Sequence, residues 1–178
     1  VGNDEKAVEV ILDGLSKLEY RGYDSAGLAI IEKGHLFVEK KSGKLDNLKN
    51  SLKDAGHYSN VGIGHTRWAT HGVPTDVNSH PHCSCDKKVA VVHNGIIENY
   101  ATLKDELIEK GYVFSSDTDS EVAAQLFSYL YTGDLLETIM KVRDKIRGSY
   151  ALGIIHEEQP DKIICTRKES PLIIGLGK

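Results

Sequence analysis

The stretch His65-Thr66-Arg67-Trp68-Ala69-Thr70-His71-Gly72 packs unusual chemistry into one short segment after the apolar run Val61-Gly62-Ile63-Gly64. Arg67 carries a planar cation that can hold a carboxylate through two parallel hydrogen bonds. Trp68 is the only tryptophan in the chain. Thr70 and His71 add a hydroxyl and an imidazole, and Gly72 frees the backbone to turn. An arginine, an aromatic and a histidine at the end of a strand make a binding loop. The plainer reading is a surface loop with a half-buried tryptophan and a solvated arginine.

Three further constellations have two readings each. Asn94-Gly95 is the leading dipeptide for a tight hairpin turn, and on its own it favours that turn. Its chemical reading is a side-chain amide and a backbone N–H that stabilise a developing oxyanion. Asp119 is either an acid complementing a helix N-terminus or the receiver of a ligand ammonium. An α-amino acid needs one cation and one anion, and Arg67 with Asp119 could supply them if the fold brings them together. Arg21 and Asp24 form an ion pair on a polar turn, or Arg21 belongs to a site.

His80-Pro81-His82-Cys83-Ser84-Cys85, with His71 and His93 not far off, offers two histidines and two thiols to a metal. The spacing is tighter than that of ordinary tetrahedral zinc sites, and no second ligand cluster exists elsewhere, so no metal is expected. Cys165 is expected as a small buried residue within a strand.

These residues need a scaffold, and 178 residues are enough for one domain with one sizeable core. A formal net charge of −4 gives no basic footprint for nucleic acid. No apolar run approaches the ~20 residues of a membrane span, and no signal peptide opens the chain. Three cysteines form no secreted disulfide framework and point to a reducing, cytoplasmic compartment.

Val8, Ile11, Leu12, Leu15 and Leu18 predict an amphipathic helix over 4–18. Strands are expected at 28–31, 36–38, 61–66, 89–92, 112–114, 150–155, 163–166 and 172–174. Further helices are expected around Leu45 to Leu52, around Leu103 to Ile108 (closed by Gly111), after Asp119, and from Leu135 to Ile146. Thr118 and Glu121 have capping-box spacing at the third of these. Hairpin-like strand pairs interrupted by pairs of helices indicate an α+β fold with mainly antiparallel sheets in a single domain, 1–178.

Four motifs occur in order: Leu18-Glu19-Tyr20-Arg21-Gly22-Tyr23-Asp24-Ser25-Ala26-Gly27, then 65–72, then His93-Asn94-Gly95-Ile96-Ile97-Glu98-Asn99, then Thr118-Asp119-Ser120-Glu121. Together they resemble the class II glutaminase domain of the glutamine–fructose-6-phosphate aminotransferase (isomerising) family, over essentially the whole chain. The resemblance implies a four-layer αββα sandwich of the N-terminal-nucleophile hydrolase type. It implies that Arg67 and Asp119 hold the α-carboxylate and α-amino groups of L-glutamine, with Thr70, His71 and Gly95 lining the pocket. Asn94 and Gly95 would form the oxyanion hole, and Trp68 would sit on a loop closing over the substrate.

It further implies ammonia delivery to fructose 6-phosphate in a sugar-isomerase domain of the same polypeptide, a homodimeric full-length enzyme and no cofactor. The family's chemistry needs a cysteine at the extreme N-terminus. None opens this chain, and Cys83, Cys85 and Cys165 are wrongly placed to substitute. Val1-Gly2 resembles the tail of the family's first strand, with about half a dozen residues expected before it. The chain as written is therefore expected to bind glutamine without hydrolysing it, the alternative being a non-catalytic glutamine-binding or regulatory module.

Overall fold

The computed structural model describes residues 2, 6–53, 56–68 and 73–176. Strands β1 (Ser25–Glu32), β2 (His35–Ser42) and β3 (Gly62–Arg67) form an antiparallel sheet in the order β2-β1-β3. Strands β4 (His82–Cys83), β5 (Val89–Ile97), β6 (Gly148–His156) and β7 (Ile164–Lys168) form a second, in the order β4-β5-β6-β7.

The central strands are apolar on both faces because each face is covered. Ala26, Leu28 and Ile30 of β1 point into a cluster with Leu15 of helix α1 (Ala7–Ser16) and Leu45, Leu48 and Leu52 of α2 (Leu45–Leu52). The alternate residues Ala29 and Ile31 meet Ala90 of β5 and Ile155 of β6 from the other sheet. On the far side of that sheet, Val89, Val91, Tyr150, Leu152 and Ile154 pack against α3 (Tyr100–Glu109), α4 (Ser120–Leu130) and α5 (Leu135–Lys145). Period-two alternation thus serves three apolar layers at once, and the architecture is helix, sheet, sheet, helix. Each fully buried Leu or Ile contributes roughly 1.5–3 kcal/mol.

Gly62 and Gly64 stand at alternate positions of β3 where a Cβ would run into Ile11 of α1. The absence of side chains there lets α1 lie close on the sheet. This helix is shorter than expected, because the chain passes from it through a turn into a 3-10 segment, Glu19–Arg21.

Four local expectations fail for tertiary reasons. Tyr112-Val113-Phe114 is not a strand: the Gln125 side chain takes the Val113 carbonyl, and Tyr112 and Phe114 pack on the helical core. Leu172-Ile173-Ile174 is not a strand either and lies exposed. Thr118 and Glu121 form no capping box. Glu121 is buried and accepts from the Ser115 and Ser116 backbone N–H groups, while the Thr118 hydroxyl bonds to His82. Cys165 is exposed, since the neighbouring Thr166 takes the inward position on β7. Among the described residues no helix is long and apolar enough to cross a membrane.

Candidate functional site

The ends of β3, β5 and α4 converge with the 3-10 segment on one cavity of about 670 Å3. Its walls include Arg21 and Gly22, then His65, Arg67 and Trp68, then His93, Asn94 and Gly95, then Thr118, Asp119 and Ser120, with Ser170 and Pro171 at one side. Arg67 and Asp119, 52 positions apart in the numbering, therefore face a shared space. Of the residues singled out in the sequence, Thr70 and His71 lie outside the described residues.

Arg67 is the last residue of β3 and is buried. Its Nη1 lies 3.8 Å from Asp24 Oδ1, and its carbonyl accepts the Asp24 N–H at 2.8 Å. The ion pair anticipated between Arg21 and Asp24 is thus replaced by one between Arg67 and Asp24. Register explains the change, because Ser25 pairs with Arg67 across β1 and β3 and brings the preceding Asp24 alongside. Arg21 lines the cavity and makes no ion pair among the described residues.

Asp119 precedes α4 but does not cap it through its side chain. The carboxylate reaches instead to β5, where Oδ2 accepts the Ile97 N–H at 2.7 Å, and Oδ1 receives the Ser120 hydroxyl at 3.3 Å. A carboxylate tied down by two donors still presents remaining lone pairs to the cavity it lines.

Asn94-Gly95 is not a turn. Strand β5 runs straight through it, with Asn94 opposite Ala151 and Gly95 opposite Tyr150 on β6. Gly95 has φ +127°, and a Cβ there would overlap the Ser149 carbonyl, so only glycine fits this backbone path. Asn94 is exposed to the cavity, and its Oδ1 accepts from His65 Nε2 at 2.9 Å. Trp68 is 67% exposed.

Beneath these residues lies a layer of imidazoles. His65 and His80 stack with ring centroids 4.4 Å apart, and His80 meets His82 edge-on at 4.7 Å. Burial pushes His65 and His93 below the ordinary imidazole range, and His80 and His82 well below it. Depressed in this way, the layer is uncharged at neutral pH, which leaves Arg21, Arg67 and Asp119 as the charged walls of the cavity.

Two of the nitrogens in the candidate metal cluster are hydrogen-bonded within the protein. His82 Nε2 meets the Thr118 hydroxyl at 3.0 Å, and His80 Nδ1 accepts the His93 N–H at 3.4 Å. Among the described residues no set of three or more His, Cys, Asp or Glu side chains is arranged for an ion. Sequence reasoning weighed His80 and His93 only as possible metal ligands and gave no role to His65 or Ser120. The available signal was alternation along β3, which puts His65 and Arg67 on the same face.

Residues 65–176 match the family described as "Glutamine amidotransferase domain". The chain is 61% identical over 177 residues to a protein of Fusobacterium nucleatum named glutamine--fructose-6-phosphate aminotransferase [isomerizing], covering 99% of this chain and 29% of that protein. It is 53% identical over 174 residues to the protein of that name from Caldanaerobacter subterraneus, covering 98% and 29%. The chain thus spans under a third of the length of these relatives.

Among solved structures, glutamine phosphoribosylpyrophosphate amidotransferase from B. subtilis, complexed with ADP and GMP, superimposes with a TM-score of 0.72 at 28% identity. That match covers 88% of this chain and 34% of the other. A second, described as the allosteric regulatory enzyme of purine biosynthesis, gives 0.74 at 28% identity, with the same coverage. These likenesses identify the αββα arrangement as the N-terminal-nucleophile hydrolase fold. With the family match extending over most of the chain and including both charged walls of the cavity, the chain belongs to the glutamine amidotransferase domain family.

Proposed function

We propose that residues 1–178 act as one glutaminase unit that hydrolyses the side-chain amide of L-glutamine to glutamate and ammonia. The observation that carries the reading is the shared cavity of Arg67 and Asp119, with Asn94 and Gly95 between β3 and α4. Arg67 takes the α-carboxylate and Asp119 the α-ammonium, so the zwitterion is fixed at both ends and the carboxamide extends toward Asn94 and Gly95. We assign Thr70 and His71 as further glutamine-binding residues on the strength of the family resemblance, with Trp68 as a cover and Arg21 supporting one wall.

In this reading a thiolate attacks the carboxamide carbon, and the carbonyl π electrons move onto oxygen. The Asn94 amide and the Gly95 N–H stabilise that oxyanion. When it collapses, the C–N bond breaks and nitrogen leaves as ammonia after taking a proton. Water then attacks the thioester, releasing glutamate and restoring the thiol. None of Cys83, Cys85 and Cys165 lines the cavity. The family resemblance implies an N-terminal cysteine as the source of the thiol, and we assign it to that position of the parent enzyme.

We place the unit in a longer cytoplasmic, homodimeric enzyme whose sugar-isomerase domain uses the ammonia to make glucosamine 6-phosphate from fructose 6-phosphate. The relatives' name and the fraction of their length spanned here support that placement. The test is glutaminase turnover by full-length enzyme, compared with Arg67→Ala. Loss of glutamine saturation in the variant supports the reading. Unchanged glutamine affinity overturns it.

A further inference from the structure

A carboxamide presents opposite polarity on its two sides. Asn94 can donate to an oxyanion only if its oxygen is turned away and held there. Its Oδ1 lies 2.9 Å from Nε2 of His65, a residue of β3 in the other sheet.

We infer that His65 is a positioning residue for glutamine hydrolysis: its Nε2–H holds Oδ1 of Asn94 and thereby aims the Asn94 NH2 into the cavity. The inference rests on the assignment of Asn94 as an oxyanion donor.

The surroundings select this tautomer. His65 Nδ1 is buried and has no hydrogen-bond partner among the described residues. A proton on Nδ1 would be an unmet buried donor and would leave Nε2 as an acceptor. The Asn94 amide would then rotate, offering NH2 to the ring and its oxygen to the cavity, where its lone pairs repel the developing charge. With the proton on Nε2, only a lone pair goes unmet, which is the smaller penalty.

The plane of the ring is fixed as well. His80 stacks on it at 4.4 Å with 29° between planes, and His80 is itself held by the His93 N–H at its Nδ1. The same layer continues to the other end of the substrate. Ser120 gives its hydroxyl proton to Asp119 Oδ1, so at 2.8 Å it accepts from His93 Nδ1–H. A contiguous set of three imidazoles thus ties the Asn94 amide to the Asp119 carboxylate.

The experiment is steady-state glutaminase kinetics in full-length enzyme carrying this domain. In His65→Gln the side-chain N–H can reach the Nε2 position, whereas in His65→Asn it reaches only the Nδ1 position. His65→Asn is expected to lower kcat roughly ten- to hundredfold. The KM for glutamine should stay within about twofold, because ground-state binding is untouched. His65→Gln should keep kcat within about threefold of the parent. In an Asn94→Ala background, His65→Asn should cause no further loss of kcat, since its effect passes through that amide.

Equal behaviour of the Asn and Gln variants overturns the inference, as does a KM that rises with the fall in kcat. So do losses that multiply in the double variant. Should His65→Asn fail to fold, His65→Phe keeps the stacked ring without the N–H and takes its place. Failure of both to fold beside an active His65→Gln assigns a merely structural role and also overturns it. If Asn94→Ala itself leaves kcat unchanged, the oxyanion assignment falls. If Asn94→Ala is slow and His65→Asn is not, only the positioning role falls.

Discussion

The six-membered ring of Trp68 lies across Gly22, where a Cβ would overlap Cζ3 of the indole. Gly22 has φ +76° and ψ 153°, a conformation essentially reserved for glycine. The motif around Arg21 and the loop after β3 therefore meet at one contact on the rim of the cavity. Gly22→Ala should lift the indole and strain the 3-10 turn, raising the KM for glutamine about tenfold with a smaller effect on kcat. Trp68 is the chain's only tryptophan, so its fluorescence reports the contact directly. Glutamine should shift that emission to the blue in the parent chain and leave it unchanged in Gly22→Ala.

Asp119→Asn separates charge from scaffold. An Asn oxygen can still accept the Ile97 N–H, so folding stability should change by less than about 1 kcal/mol. The ammonium of glutamine would lose its anionic partner in a partly solvated cavity, weakening binding by about 1–3 kcal/mol. Calorimetric titration of glutamine into parent and variant chains checks this. Equal affinity would mean that the carboxylate serves only to tie α4 to β5.

The layers were legible because β1, β5 and β6 are apolar on both faces, and because α1, α2 and α5 carry helical spacing. The cavity was legible only through its charged motifs. Asn94-Gly95 misled because the turn signal is local, whereas the partner that keeps β5 extended is β6, more than fifty residues later in the chain. Cys165 misled because Ile163-Ile164-Cys165-Thr166 does not reveal which phase of an edge strand points inward. The imidazole layer was read only in part: His80, His82 and His93 were grouped as metal candidates, but the stacking of His80 on His65 was not foreseen. Its members come from β3, the segment before β4, β4 itself and β5, and no sequence spacing encodes a stack between two sheets.

That layer makes stability pH-dependent. Burial holds His80 and His82 well below the ordinary value of 6.5, and His65 and His93 below it. Below about pH 6.5 the unfolded chain binds protons that the folded chain refuses, so stability falls as pH drops through this range. The slope can reach about 1.4 kcal/mol per pH unit for each histidine. Glu32 and Asp76, held low chiefly by the Tyr58 and Ser42 backbone N–H groups, lose their contribution only in the carboxylate range near about pH 4. Urea midpoints should therefore fall between about pH 7 and about pH 5, ahead of any carboxylate effect. A flat midpoint over that interval would contradict the buried, neutral layer.

The seat of α1 on β3 sets the position of the cavity wall, since the 3-10 segment with Arg21 follows directly from that helix. A Cβ at Gly64 would overlap Cγ2 of Ile11, a β-branched side chain with little freedom to move aside. Gly64→Ala should therefore push the helix outward and destabilise the fold by about 1–3 kcal/mol. Ile11→Ala alone leaves a gap, which costs stability by a different route. In the double variant the new methyl occupies the space that Ile11 vacates, so the two costs should fall short of their sum by about 1 kcal/mol or more. Denaturant titrations of the four proteins measure that difference. Strictly additive losses would show that α1 does not rest on the glycine pair.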